Sequence, residues 1–188
     1  MALGLIALLV LAGAVVATAL WWVGAFNGLV RMRQEVKSAW SQIDVQLKRR
    51  HDLIPNLVEA VKGYMAHERG TLENVIKARN QAVGATSVAD KAQAENMLTQ
   101  TLRSLFAVVE RYPDLKANQN VMALQEELTS TENKISFARQ FYNDQAARFN
   151  ATIESVPTNM VAGSGGFAKV DFFQLDNAAE REAPQVKF

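Results

Sequence analysis

The sequence predicts an all-α fold: an N-terminal transmembrane helix, then an up-and-down antiparallel bundle of long helices, then an irregular C-terminal tail. Three observations predict it. Met1 to Val30 contains no charged side chain, and the first charge is Arg31. From Val36 the apolar residues recur at spacings of four and three, the period of a helix face and not of a strand. Proline and glycine are scarce between Arg31 and Ser155, so little punctuates a helix there. The expected organisation is an anchor over 1–26, a helical bundle over 27–157 and a glycine-linked aromatic tail over 158–188.

The anchor comes first. A helix needs about 20 consecutive apolar residues to cross the hydrocarbon of a bilayer, and Ala2 to Val23 supplies them. Trp21 and Trp22 follow at the far end, where indoles favour the headgroup interface. A cleaved signal peptide is the competing reading, with Ala17-Thr18-Ala19 as a small-x-small site. Two features oppose it: no Lys or Arg precedes the apolar core, and cleavage would leave Leu20, Trp21, Trp22, Val23 and Phe26 uncovered at a new terminus. Gly13 and Ala17 form a small-xxx-small pair that permits close helix approach. Arg31, Arg33 and Lys37 flank the span on its C-terminal side, so the positive-inside tendency places the main domain in the cytoplasm. Arg31 and Arg33 are also well placed for lipid headgroups. Long domains can be translocated despite flanking charge, which keeps a periplasmic or extracellular domain as the alternative.

The bundle helices are read in order. Val36, Trp40, Ile43, Leu47, Ile54, Leu57, Val61 and Tyr64 form a heptad-like seam. Pro55 lies inside it without shifting the phase, which fits a kink better than a break. The seam position between Leu47 and Ile54 is Arg50. The simpler reading is that Arg50 snorkels to the rim; the sharper one is a buried ion pair that fixes register. Continuity through Asn27-Gly28 would make span and first bundle helix one rod, and the bundle a stalk. A second helix is expected from about Thr71 to Val83, with Leu72, Val75, Ile76 and Val83 on its apolar side and Gly70 as a hinge or a local dip in propensity. Ser87 and Asp90 have capping-box spacing. The helix they open runs to Arg111, with Met97, Leu98, Leu102, Leu105, Phe106 and Val109 as its core face, and Tyr112-Pro113-Asp114 ends it. A last long helix carries Val121, Leu124, Leu128, Thr131, Ile135, Ala138, Tyr142, Phe149 and Ile153, and Pro157 stops it. Gly163-Ser164-Gly165-Gly166 then reads as a flexible linker. Phe167, Phe172, Phe173 and Phe188 beyond it are candidates to dock on this bundle, on a neighbour or on a partner.

Composition narrows the function. A formal net charge of +1 gives no electrostatic case for nucleic acid. With no cysteine, disulfides, Cys-ligated zinc, iron–sulfur clusters and thiol catalysis are excluded. A di-metal centre in a bundle needs Glu-x-x-His pairs, yet the only histidines, His51 and His67, lack a Glu three residues before them. His51 and Asp52 are helix neighbours and do not face each other. Gly163 to Gly166 lacks the Lys-Ser/Thr of a phosphate loop. No catalytic, cofactor-binding or metal residue is therefore nominated. Lys48-Arg49-Arg50 reads as a solvated helix face.

The run Ala39-Trp40-Ser41-Gln42-Ile43-Asp44-Val45-Gln46-Leu47-Lys48-Arg49-Arg50-His51-Asp52-Leu53-Ile54-Pro55-Asn56-Leu57-Val58 resembles the signature of the LemA family. Phe26 with Asn27-Gly28-Leu29-Val30, His67-Glu68, Ala78-Arg79, Leu124 to Leu128, Thr131 to Ile135, Tyr142-Asn143 and the ending Ala183 to Phe188 fit the same pattern. Phe26 and Phe149 stand where the family more often has Tyr, which keeps the ring and loses a hydroxyl. The resemblance implies a bacterial single-pass membrane protein with an antiparallel helical domain, and it implies no reaction. Many relatives carry N-terminal Lys, which would put their domain outside the cytoplasm; this chain lacks those lysines. The expected function is a non-enzymatic membrane-anchored scaffold in the cell membrane, with the lipid bilayer, further copies of itself and other envelope proteins as partners. Membrane remodelling, and a cryptic enzyme or metal protein, are the alternatives.

Overall fold

The computed structural model describes residues 2–174, and they are helical nearly throughout, with no strand among them. Six α-helices follow one another: α1 (Ala2–Lys62), α2 (Arg69–Gly84), α3 (Val88–Val109), α4 (Pro113–Lys116), α5 (Gln119–Glu154) and α6 (Thr158–Ser164), with a 3-10 turn at Ala66–Glu68. α1 passes unbroken through Asn27-Gly28 and through Pro55. Its start is the one stretch among the described residues long and apolar enough to cross a membrane, and its most apolar window has no buried residue.

The chain divides into two compact units, residues 2–41 with 141–170 and residues 42–140 with 171–174. The second is the helical bundle. Its core is assembled from Ile54, Leu57 and Val61 of α1, Met65 of the turn that follows it, Leu72, Val75, Ala78 and Ala82 of α2, Leu98, Leu102, Leu105 and Val109 of α3, and Val121 and Leu128 of α5. These residues recur at three and four along each helix, so each presents one apolar stripe inward. The turns have identifiable causes. Ser87 Oγ accepts from Asp90 N at 3.0 Å and starts α3. Pro113 opens α4, where its missing N–H costs nothing. Asn118 Oδ1 accepts from the backbone of Asn120 at 3.0 Å and Val121 at 3.3 Å, starting α5.

Several details differ from the sequence expectations. The turn after α1 falls at Gly63–Met65, and Gly70 lies inside α2. Tyr64, Val83 and Met97, read as inward, are about half exposed. The inward stripe of α3 instead runs through Ala92, Glu95, Leu98, Leu102 and Leu105, one position out of phase with Met97.

The first unit is a helix pair closed by a returning segment. Leu29, Val36 and Ala39 of α1 are buried, as are Tyr142, Ala146, Phe149 and Ile153 of α5. Trp40 packs edge-on against Tyr142 at 5.3 Å. The expected flexible linker is an ordered helix end. Gly163 and Ser164 are the last residues of α6, Gly165 N bonds to Val161 O at 2.9 Å and Phe167 N bonds to Ala162 O at 3.0 Å. Gly166 adopts φ +65°, so the helix ends in a Schellman-type closure that glycine permits at no steric cost. Gly165 is needed for a different reason: an added Cβ would lie 2.5 Å from the Phe167 ring and 3.0 Å from Phe26. Asn150 then clamps the chain beyond, donating to Val170 O at 2.9 Å and accepting from Val170 N at 2.9 Å.

Candidate functional site

The bundle unit carries charge at its centre. Arg50, on the α1 seam, is 1% exposed, so it does not snorkel to the rim. Both terminal nitrogens are engaged: Nη2 pairs with Glu95 of α3, and Nη1 pairs with Glu132 of α5 and donates to Thr99 Oγ1 at 3.1 Å. Thr99 Oγ1 in turn donates to Glu132 at 3.2 Å. His51 Nε2 lies 2.7 Å from the other oxygen of Glu95. Glu95 is 2% exposed. Burial pushes its carboxyl up, but the His51 hydrogen bond and the Arg50 charge outweigh burial and hold it below the ordinary carboxylate range. Arg50 Nε is buried with no hydrogen-bond partner among the described residues.

α2 joins the node through a backbone defect. Pro55 has no N–H, so the carbonyl four residues earlier, that of His51, loses its helical partner. Arg79 Nε donates to that carbonyl at 3.2 Å. The proline that the helix tolerates thus creates an acceptor, and α2 supplies the donor. Four helices meet at two consecutive residues of α1.

Around the node, Ile43, Leu47, Ile54 and Leu57 are buried. Arg49, one residue from Arg50, is exposed and pairs with Glu127 at 2.6 Å, so the Lys48-Arg49-Arg50 run is a solvated face only as far as Arg49. Phe173 is buried, with the Arg139 guanidinium 5.7 Å from its ring centroid. Phe172 is 38% exposed, and Phe188 lies outside the described residues. α1 and α2 also flank an open groove of about 950 Å³ with Val58, Met65, Leu72 and Ile76 in its lining and Lys62, Arg69 and Lys77 beside them.

In the other unit, Phe167 is the centre of an aromatic clasp. Phe26 and Phe149 meet its ring edge-on at 5.5 Å and 6.4 Å, and the Arg33 guanidinium sits 5.0 Å from its centroid. Trp21 and Trp22 are T-shaped at 6.5 Å, and Trp21 is 40% exposed. Arg31 is exposed.

Chemically, the node is closed on itself. Arg50 bridges Glu95 and Glu132, His51 binds Glu95, and among the described residues no three His, Cys, Asp or Glu side chains are grouped to hold a metal. Sequence reading missed Arg79, Glu95 and Glu132 as partners. One signal was available: Glu95 occupies an apolar-stripe position of α3, as Arg50 does on α1, and two opposite charges misplaced on two core stripes point to each other.

The LemA family model matches residues 39–188. Protein LemA of Metamycoplasma hominis is 29% identical over 157 residues, covering 81% of this chain and 70% of that protein. Magnetosome protein MamQ 2 of Paramagnetospirillum magneticum is 26% identical over 181 residues, covering 82% and 66%. Magnetosome protein MamQ of Magnetospirillum gryphiswaldense is 24% identical, covering 86% and 70%. The chain therefore spans about two thirds of the length of these relatives.

Proposed function

The chain belongs to the LemA family, and from that premise we propose that it is a non-enzymatic, membrane-anchored helical scaffold that assembles with itself or with envelope proteins. The observation that carries the reading is the contrast between what is spent inside and what is left outside. Arg50 is shared by Glu95 and Glu132, and His51 is bound to Glu95, which supports reading the node as a fastener and not a reaction centre. The apolar start of α1, by contrast, has no protein cover at all. A run of that length without charge is matched to lipid. The domain faces the cytoplasm on the flanking charge of Arg31, Arg33 and Lys37, with the opposite face of a cell membrane as the alternative.

The test is the mass of the full-length protein extracted in mild detergent and measured by light scattering, with identification of anything that co-purifies. The reading predicts a discrete oligomer or a stoichiometric partner. A strict monomer with no partner overturns it. A second reading, that the protein organises or reshapes membrane, is favoured by the relatives that are named as magnetosome proteins. Purified protein that leaves liposome shape unchanged would remove it.

A further inference from the structure

We infer that the α5–α6 corner, around Val156 and Met160, is a second membrane contact that enters the headgroup layer of the bilayer crossed by the start of α1. The inference rests on the anchor reading above and adds a second site of lipid contact, with the bilayer surface as the partner.

The first support is charge. Ser155 to Ala168 contains no charged residue, the longest such run after Val30. It is bounded by Glu154 and Lys169, which pair with each other. Within the run the apolar side chains divide cleanly. Val161, Ala162 and Phe167 are buried, while Val156 is 81% exposed and Met160 65% exposed. Two large apolar side chains stand outward on a surface with no charge beside them in sequence.

The second support is level along α1. Residues 2–21 are all exposed, Trp22 is the first partly covered residue, Ala25 the next, and Leu29 is fully buried. Protein cover on α1 therefore begins at the indoles that mark the end of the apolar span. α5 runs antiparallel to α1 here: Tyr142 packs on Trp40, and seven residues later Phe149 reaches Phe167, which touches Phe26 and Arg33. A further seven residues toward the N-terminus of α1, roughly 10 Å at helical rise, bring the chain to Val156. The corner thus lies about level with Phe26, one helical turn from Trp22, and so beside the aromatic end of the apolar span, where a membrane interface is expected.

The third support is the backbone. Immersion penalises polar groups that lack a partner, and several of the corner's backbone groups are bonded within it. Asn159 N bonds to Ser155 O at 2.8 Å, Met160 N to Pro157 O at 3.2 Å and Gly165 N to Val161 O at 2.9 Å. Two of its hydroxyls turn back onto their helices: Ser155 Oγ donates to Ala151 O at 2.7 Å and Ser164 Oγ to Val161 O at 2.9 Å. Thr18 does the same inside the apolar span, donating to Ala14 O at 2.8 Å. The paired Lys169 and Glu154 close the uncharged run, and Arg33 and Arg148, both exposed, follow farther from the span.

The absence of cysteine makes the test clean. Three full-length variants, Leu11→Cys, Met160→Cys and Ser38→Cys, each carry one environment-sensitive fluorophore. They are reconstituted in phosphatidylcholine–phosphatidylglycerol vesicles containing lipids spin-labelled either at the headgroup or deep in the acyl chain. All three positions are exposed, so substitution leaves the packing intact. Leu11 is expected to be quenched most by the deep label. Met160 is expected to be quenched at least twofold more by the headgroup label than by the deep one. Ser38, sixteen residues past Trp22 and so about 24 Å along the helix, gives the water-side reference. Leu11 quenched with Met160 at the Ser38 level overturns the corner contact and leaves the anchor standing. Leu11 unquenched by either label overturns the anchor reading, and the inference with it.

Discussion

The two units are fastened by opposite means. In the bundle unit the fastener is a buried charge, Arg50, shared between Glu95 and Glu132 on two other helices. In the helix-pair unit it is a ring, Phe167, held by Phe26, Phe149 and the Arg33 guanidinium. A buried charge is costly to isolate and accepts few geometries, so it selects one register of α1, α3 and α5. Rings attract through area and edge-to-face contact and tolerate small shifts. The bundle is therefore specified by a few exact partners, and the helix pair by the volume of its clasp.

The largest effect should come from breaking the charged fastener on one side only. Arg50→Ala leaves Glu95 buried without its counter-ion, and should cost about 3–5 kcal/mol in urea unfolding. Removing both charges together, with Arg50→Met and Glu95→Gln, keeps the His51 hydrogen bond and should recover most of that loss. A loss below about 1 kcal/mol for Arg50→Ala would mean that the node is solvated, and the contrast between the units would collapse.

Next comes the clasp. Gly165→Ala places a methyl group against Phe167 and should cost about 1–3 kcal/mol as overpacking. Its signature is local: hydrogen exchange should rise at Phe167 and Val170, whose amides are bonded in this segment, and stay unchanged at Leu98. Uniform acceleration across both units would contradict a separate fastener.

A smaller effect isolates the proline. Arg79→Ala orphans the His51 carbonyl and should cost about 1–2 kcal/mol. In a Pro55→Ala background the restored N–H takes that carbonyl, so the same change should cost measurably less. Equal losses in both backgrounds, in a double-mutant cycle, would sever the link between Pro55 and Arg79.

The last effect is in pH. The Glu95 carboxyl is held below its ordinary value, so it binds fewer protons folded than unfolded. Its contribution is present in full above the ordinary glutamate value of about 4.3 and is lost as pH falls through the lower folded value. Acid melts of the wild type should steepen in that window, and Glu95→Gln should flatten the slope there. An unchanged slope would remove Glu95 from the acid transition.

The same division explains what was legible in the sequence. The uncharged start, the heptad seam and the Ser87 cap were readable because each depends on neighbours within a turn or two. Arg50 was visible as an anomaly, but its fate was not, because the partners that decide it lie 45 and 82 residues away. Favouring the rim for Arg50 came from treating a long charged side chain alone. Gly163 to Gly166 misled for a related reason. Glycine lowers local order in isolation, yet here Gly165 and Gly166 are what allow Phe167 to close on Phe26. The role of Pro55 could be read only halfway: the missing N–H is a property of proline, while the donor that answers it belongs to α2.

We propose that the charged node only fastens helices and that a membrane-tethered assembly carries the function. The most direct measurement is the mass of full-length Arg50→Met/Glu95→Gln protein in lipid nanodiscs beside that of the wild type. The same oligomer or partner complex is expected from a protein that lacks both buried charges. A stably folded double variant that no longer assembles would contradict it.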